Sequence, residues 1–546
     1  MTTPEAGFHQ SPVSPAALPG EAAHADLVAR LAREIYGQGQ ALSRPLTPAL
    51  PGPAPHPSVA PPAPPLPGLD GAALAALIPG GPDLLRTIAQ DHPRAAAFAQ
   101  ALAPGLVPAA PAAPAPAGAA PETPDYYFLP PDPRGAPALP VATAFDVERV
   151  RKDFPALHQS VNGHRLVWLD NAATTHKPQS VIDATSRFYA HDNSNIHRAA
   201  HTLAARATDA FEGGREAVRR FLNARSTDEI VFLRGTTEAI NLVANSFGRA
   251  NLGPGDEIIV STIEHHANIV PWQMVTQATG ATLRVIPVND RGELMLDQFA
   301  ALLSGRTKIV SVTQVANALG TVNPIPEIIG LSHAYGVPVL VDAAQSSPHM
   351  PLDVQALDAD FLVFSGHKVF GPTGIGALYG KKHLLEAMPP WQGGGHMIED
   401  VTFARTVYRG VPEKFEAGTP DIAGAVGLGA ALDYLQGVGL PAIAAYEHDL
   451  LDYAQGGLAE IRGLRLLGTA RHKASVMSFV IEGQENAAVA QHLDRHGIAV
   501  RAGHHCALPA LRRFGVSESV RASLAFYNTR EDVDVFLHAL RTLPRR

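Results

Sequence analysis

Residues 337–380 read VPVLVDAAQSSPHMPLDVQALDADFLVFSGHKVFGPTGIGALYG. Two short apolar runs lie inside this stretch, VPVLVDAA (337–344) and DFLVFS (360–365), and neither alternates with polar residues. Strands that are apolar throughout are buried on both faces, the pattern of a parallel sheet covered by helices. Asp342 falls at the end of the first run. Lys368 falls just past the second, in Ser365-Gly366-His367-Lys368, followed by Val369-Phe370-Gly371-Pro372-Thr373-Gly374. A lysine among glycines beyond a buried strand is poorly suited to packing and well suited to reaching a ligand.

Working outward, EIVFL (229–233), EIIVST (257–262), TLRVIPV (282–288) and KIVSVTQV (308–315) are further buried-strand candidates, with helical stretches such as 237–249 and 327–335 between them. The alternation predicts an α/β fold with a mainly parallel sheet. Past 421 a long helical region (423–462) leads to ASVMSFVI, GIAVRAG and VRASLAF, a pattern expected of a smaller α+β domain. The expected division is a large domain over 145–420, whose first segment also contributes to the small domain, and a small domain over 421–546.

Upstream the composition changes. Residues 1–140 hold 30 of the 48 prolines and 34 alanines but no lysine, the first being Lys152. So few large apolar side chains cannot offset the entropy of ordering, and the extension is expected to be disordered. Within it, helical spacing marks 21–36 (Leu27, Leu31, Ile35), 70–78 and 83–103, and 126–130 reads YYFLP. Such pieces read better as docking points on a tether than as parts of a spacer.

The net charge of −8, without a long basic run, argues against nucleic acid as the main partner. No run of 18 apolar residues predicts a membrane span, and MTTPEAGFHQSPVSP lacks the marks of a secretory signal, so a cytoplasmic protein is expected. A single cysteine excludes an intramolecular disulfide and cysteine-rich metal sites.

Six stretches carry chemistry. Lys368, one of only eight lysines, could supply the amine for a Schiff base with pyridoxal 5'-phosphate. Asp342 could hold the protonated pyridine nitrogen of that cofactor, and Gln345 its phenolate oxygen. Gly235-Thr236-Thr237 at a predicted helix start offers backbone N–H groups and hydroxyls to a phosphate; neither a Walker nor a dinucleotide glycine pattern is present. In Glu264-His265-His266, neighbouring rings on extended chain point apart. Stacking of His265 on the cofactor ring is therefore the better reading, and no metal is expected. In Arg501-Ala502-Gly503-His504-His505-Cys506 the only cysteine lies in a histidine-flanked loop, where polar neighbours can favour the thiolate. Arg521, in a strand-like run, could take a carboxylate bidentately.

Together LDNAATTHKP, RGTTEAINLVANSFG, EHHANIVPWQ, VANALGTVNPI, VDAAQSSPH, FSGHKVFGPTGIGALYG, PPWQGGGHMI, FEAGTPD, RAGHHCALP and VRASLAFYNT resemble the class V aminotransferase superfamily, and within it the group II (SufS-type) cysteine desulfurases, over about 147–543. The resemblance implies a homodimer of PLP-dependent fold type I with a seven-stranded-type sheet and the cofactor on Lys368. It implies Thr236, Thr237, Ser365 and His367 around the phosphate, with Thr419 reaching in from the other subunit. Asn317, Arg521, His197 and Arg501 would bind the substrate L-cysteine, and Cys506 would carry its sulfur as a persulfide to a sulfur-acceptor protein. The proline-rich extension resembles that of desulfurases packaged inside encapsulin shells. Selenocysteine lyase is the rival on the same scaffold. A kynureninase-like reading leaves Cys506 without a task, and a purely structural role leaves the whole constellation without one.

Overall fold

The computed structural model describes residues 145–197 and 201–544. The extension, with its three helical stretches and its YYFLP cluster, lies outside the described residues. Seven strands form the main sheet: β1 (Ile230–Leu233), β2 (Glu257–Ser261), β3 (Thr282–Ile286), β4 (Thr307–Thr313), β5 (Val339–Asp342), β6 (Phe361–Ser365) and β7 (Gly376–Gly380). Their order across the sheet is β1-β7-β6-β5-β4-β2-β3. From β3 to β6 all pairings are parallel, with Val310 opposite Val339 and Leu340 opposite Phe361. Strand β7 runs antiparallel to both its neighbours.

All six apolar runs are strands, and those in the middle of the sheet are buried residue by residue, as continuous apolar sequence requires. Strand β7, the seventh that the resemblance implied, was not among the apolar runs. Its sequence GALYG is broken by glycines that the packing demands: a Cβ on Gly376 would stand 2.6 Å from Gly235 Cα and 2.6 Å from the Phe364 carbonyl oxygen. Strand β3 lies at the sheet edge and is largely exposed.

Helices flank the sheet, among them α1 (Thr202–Leu222), α2 (Thr236–Val243) and α3 (Ile325–Ala334). The long helical region after 421 is two helices, α4 (Ile422–Val438) and α5 (Leu440–Ala459). The break falls at Gly439, whose φ of 96° no other residue type adopts readily, with Pro441 in the first turn of α5. Helices α1 and α4 meet through small residues; a Cβ on Gly214 would lie 2.5 Å from the Ala425 carbonyl oxygen. No single helix among the described residues is long and apolar enough to cross a membrane.

A second, antiparallel sheet holds β8 (Leu464–Leu467), β9 (Val476–Ile481), β10 (Arg501–Gly503) and β11 (Ser519–Ser523) in the order β8-β9-β11-β10. The beginning of the described chain joins it from a distance. Val167–Trp168 pairs in parallel with Ile498–Ala499, and Asp170 bridges to Ser523 in β11. These contacts bring the ends of β5 and β6 against β10 and β11, and the cavity lies there.

Candidate active site

The cavity, about 180 Å³, opens at the C-terminal ends of the parallel strands, where α/β sheets place their ligands. It is lined by Lys368, Asp342, His265, Thr236, Thr237, Gln345, Ser365, His367, Asn317, Arg501 and Arg521. Eleven residues singled out in the sequence thus converge on one space. Ala172, Ala173, Ala267, Thr313, Ala344 and His505 complete the wall.

Lys368 ends the short turn Gly366–Lys368 that follows β6. Burial pulls its amine down to about 8, against the attraction of Asp342. Asp342 is itself buried at the end of β5, with Oδ1 accepting the Ala344 N–H at 2.9 Å, and burial raises its pKa. His265 lies above the usual exposure of a core residue but loses its proton readily, since burial and the nearby Lys368 bring its pKa to about 3. Its Nδ1 accepts the Ala267 N–H at 3.0 Å, so the ring is a neutral flat surface. One N–H of the Gln345 amide is taken, with Nε2 donating to the Ala172 carbonyl at 2.7 Å, and the second N–H remains for a ligand.

The start of α2 forms the second part of the site. Gly235 takes a φ of 149°, and a Cβ there would stand 2.9 Å from Ser365 Oγ. Ser365 Oγ accepts the Thr236 N–H at 2.9 Å and lies 2.9 Å from Thr236 Oγ1. Hydroxyls and a helix start, gathered beside Lys368 with a buried acid beyond, suit a compound carrying a phosphate, a carbonyl and a basic ring nitrogen. Pyridoxal phosphate is such a compound, and the residues present fit it.

Arg521 is buried in β11 between Asp170 Oδ1, 3.2 Å from one terminal nitrogen, and the Asn317 carbonyl, 3.0 Å from the other. Its Nε and the Asn317 Oδ1 are buried with no hydrogen-bond partner among the described residues. A guanidinium only partly satisfied beside a cavity is suited to a carboxylate. Arg521→Lys keeps the charge but loses the fork, so the KM for an amino-acid substrate is expected to rise about tenfold or more with kcat less affected. Steady-state kinetics across substrate concentration check this, and an unchanged KM removes Arg521 from substrate binding.

Cys506 does not itself line the cavity, but it follows His505, which does. The loop is fastened to the wall: Asn317 Nδ2 donates to the His505 carbonyl at 2.7 Å, and the His266 N–H donates to the Cys506 carbonyl at 2.7 Å. His505 and Cys506 both have left-handed backbones, with φ 51° and 53°. The thiol lies within electrostatic reach of Lys368 and Arg521.

Two expected residues lie elsewhere in this protomer. Thr419 borders a separate cavity with Trp391, Gln392 and Asp421. His197, at φ 55°, has its ring 4.7 Å from that of His396 and its Nε2 3.4 Å from Glu212. Neither lines the cavity around Lys368, so His197 does not join Asn317, Arg501 and Arg521 at that wall.

Two groups were missed. The His367 carbonyl accepts four donors, each at 3.1 Å: the Thr175 N–H, the Thr174 and Thr175 hydroxyls, and Lys177 Nζ. This fixes the peptide directly before Lys368. Burial lowers Lys177 to about 8. Replacing it with Met removes the charged donor, worth about 1.5–3 kcal/mol. An approximately tenfold fall in kcat is expected, restored by Lys177→Arg, with the fold unchanged by circular dichroism. The second missed group is Glu264, fully buried and pushed up to about 8 by desolvation. It takes hydrogen bonds from Ser261 Oγ (2.5 Å), Asn268 Nδ2 (2.7 Å) and the Thr313 N–H (3.1 Å), and so ties the segment carrying His265 to β4.

Comparison with known proteins agrees with this geometry. The model of the aminotransferase class-V family matches residues 167–536. A cysteine desulfurase of Synechococcus elongatus is 63% identical over 402 residues, 74% of this chain and 64% of that protein. A probable cysteine desulfurase of Mycolicibacterium paratuberculosis is 57% identical over 451 residues, 81% of this chain and 66% of its own length. The chain therefore spans just under two thirds of these two relatives. It matches 97% of a cysteine desulfurase of Dickeya dadantii, at 53% identity over 73% of this chain. Among solved structures, the cysteine desulfurase CsdA (S-sulfonic acid) from Escherichia coli superposes with a TM-score of 0.68 at 43% identity, covering 73% of this chain and 98% of that one.

Proposed function

The chain belongs to the aminotransferase class-V family, and from that premise we propose that it is a pyridoxal-phosphate-dependent cysteine desulfurase of the group II (SufS-type) kind. The observation that carries the reading is the joining of two features: a cavity built around Lys368 and Asp342, and a cysteine loop fastened to its wall through Asn317 and His266.

Lys368 would hold the cofactor, Asp342 its ring nitrogen, His265 its face, and Thr236, Thr237, Ser365 and His367 its phosphate. When bound, pyridoxal phosphate draws electrons from the substrate Cα. The chain's own residues do the rest. Arg521 and Asn317 hold the cysteine carboxylate, with Arg501 adding positive charge at the same wall. Lys368 Nζ, with a pKa brought to about 8, can hold and move the Cα proton near neutral pH. Cys506 Sγ then bonds to the substrate sulfur as the substrate's Cβ–S bond breaks. The carbon fragment leaves as L-alanine, and the sulfur stays on Cys506 as a persulfide. Absorbance of the purified protein near the cofactor band, with and without L-cysteine, tests the class of the reaction.

The same reading makes the protein a homodimer, with Thr419 reaching into the neighbouring subunit's site. Because the Cys506 loop is short and fastened at both faces, its sulfur cannot travel far. A sulfur-acceptor protein must come to it.

Residues 1–140 we assign to localisation in the cytoplasm inside an encapsulin-type protein shell. The supporting features are the proline tracts and the short apolar pieces at Leu27/Leu31/Ile35, Leu74/Leu77/Ile78 and 126–129. Several weak docking points on one tether gain from effective concentration, and a dimer doubles their number. Deleting 1–140 is expected to leave the rate with cysteine unchanged, while fusing them to a fluorescent protein carries it into a co-expressed shell. A fusion left outside, with the truncated enzyme still entering, reduces the extension to a spacer.

A further inference from the structure

The desulfurase reading gives no task to His266 or His504, yet both stand beside Cys506. One ring nitrogen of each histidine and Cys506 Sγ lie within 4.8 Å of one another. His266 follows β2, whereas His504 and Cys506 follow β10, so the cluster joins two loops distant in sequence. The rings of His266 and His504 are 5.6 Å apart and inclined by 30°. The loops cannot drift apart freely, because the His266 N–H donates to the Cys506 carbonyl at 2.7 Å and the Leu508 N–H to His266 Nε2 at 3.1 Å. His504 Nδ1 accepts the Cys506 N–H at 3.0 Å.

We propose that His266, His504 and Cys506 form a site for a thiophilic divalent cation of the zinc type, with the fourth position left to water. Two imidazoles and one thiolate make a borderline-soft donor set that Zn²⁺ and Co²⁺ accept. Metal–ligand bonds of ~2.0–2.3 Å place tetrahedral ligand atoms about 3.3–3.8 Å apart. The present spread closes to that with modest side-chain rotation, most easily at the exposed His504. On binding, the thiol proton leaves to solvent, both imidazoles bind as neutral rings, and no electron changes hands. One nitrogen of each ring now accepts a backbone N–H, so a metal takes the other nitrogen or displaces that bond, and an open fourth position keeps the site weaker than a structural zinc centre. Resting on the desulfurase reading, the consequence is a brake: a metal-bound Sγ cannot receive sulfur.

The test is titration of the full-length, cofactor-loaded protein with Co²⁺ in a buffer free of thiols, recorded as difference spectra. One equivalent is expected to bind, with a thiolate-to-cobalt charge-transfer band and tetrahedral visible bands that Zn²⁺ displaces. Cys506→Ala should abolish the band. His504→Ala, at an exposed position that folding does not need, and His266→Ala should each weaken binding about tenfold or more. An octahedral spectrum without charge transfer, or an affinity that neither histidine replacement changes, overturns the site. Inhibition of sulfur release by Zn²⁺ at the same affinity, reversed by a chelator, supports the brake; full activity with the site occupied overturns it. The cobalt spectrum stands whether or not Cys506 proves to be the sulfur carrier, so failure of the two readings can be told apart.

Discussion

Lys368→Ala is expected to abolish conversion of cysteine to alanine, a loss of at least about 10³-fold, because on the proposed reading one residue supplies both the cofactor's attachment and the mobile proton. Its side chain stands in the cavity rather than in the packed core, so the fold should survive, and circular dichroism checks that. Borohydride treatment of the wild type followed by peptide mass spectrometry should find the cofactor fixed on the peptide containing residue 368, and the variant should show none. A cofactor fixed to another lysine in the variant would displace Lys368 from its role. The lowered pKa has a sign that can be measured separately. The neutral amine is the reactive form, so cofactor capture by the apoprotein should quicken as pH rises to about 8 and level off above it. An exposed lysine would go on gaining reactivity to beyond pH 10, near the ordinary lysine pKa.

Cys506→Ser is expected to keep cofactor and substrate binding while sulfur transfer from cysteine falls about 10²-fold or more. The loop is held by backbone groups of His505 and Cys506, which serine retains, so the change falls on the thiol alone. Intact-protein mass spectrometry after exposure to cysteine should show an added sulfur atom on the wild type and none on the variant. Persulfide on the variant, or near-normal desulfuration, would assign the carrier elsewhere. Retention of activity on selenocysteine alone would favour the lyase reading.

The strands and the cavity were legible for a shared physical reason. Runs such as VLVD and FLVFS read as buried strands, and the polar residues at or just past their ends, Asp342 and Lys368, come out at the mouth of the sheet. Strand β7 was hidden because the tight approach of Gly376 to Gly235 demands the residue that most weakens a strand pattern. The Lys177 cluster was hidden differently: its centre is the carbonyl of His367, and a backbone atom leaves no mark in a list of side chains. Glu264 was given no role in its motif, because its partners Ser261, Asn268 and Thr313 close around it only in the fold. His266, His504 and Cys506 have no ligand spacing to detect, since the fold, not the local chain, brings them together.

The pairing of Val167–Trp168 with Ile498–Ala499, and of Asp170 with Arg521, also sets a timetable. A ribosome adding ~5–20 residues per second needs tens of seconds to make the chain between those partners. Throughout that interval Val167 and Leu169, both buried in the finished fold, have no sheet to join. Strands β1–β7 have all emerged well before then, with Lys368 and Asp342 among them. Asp342 and Lys368 are therefore made well before Arg501 and Arg521, and the cavity that all four line has only one of its walls until the later pair has been added.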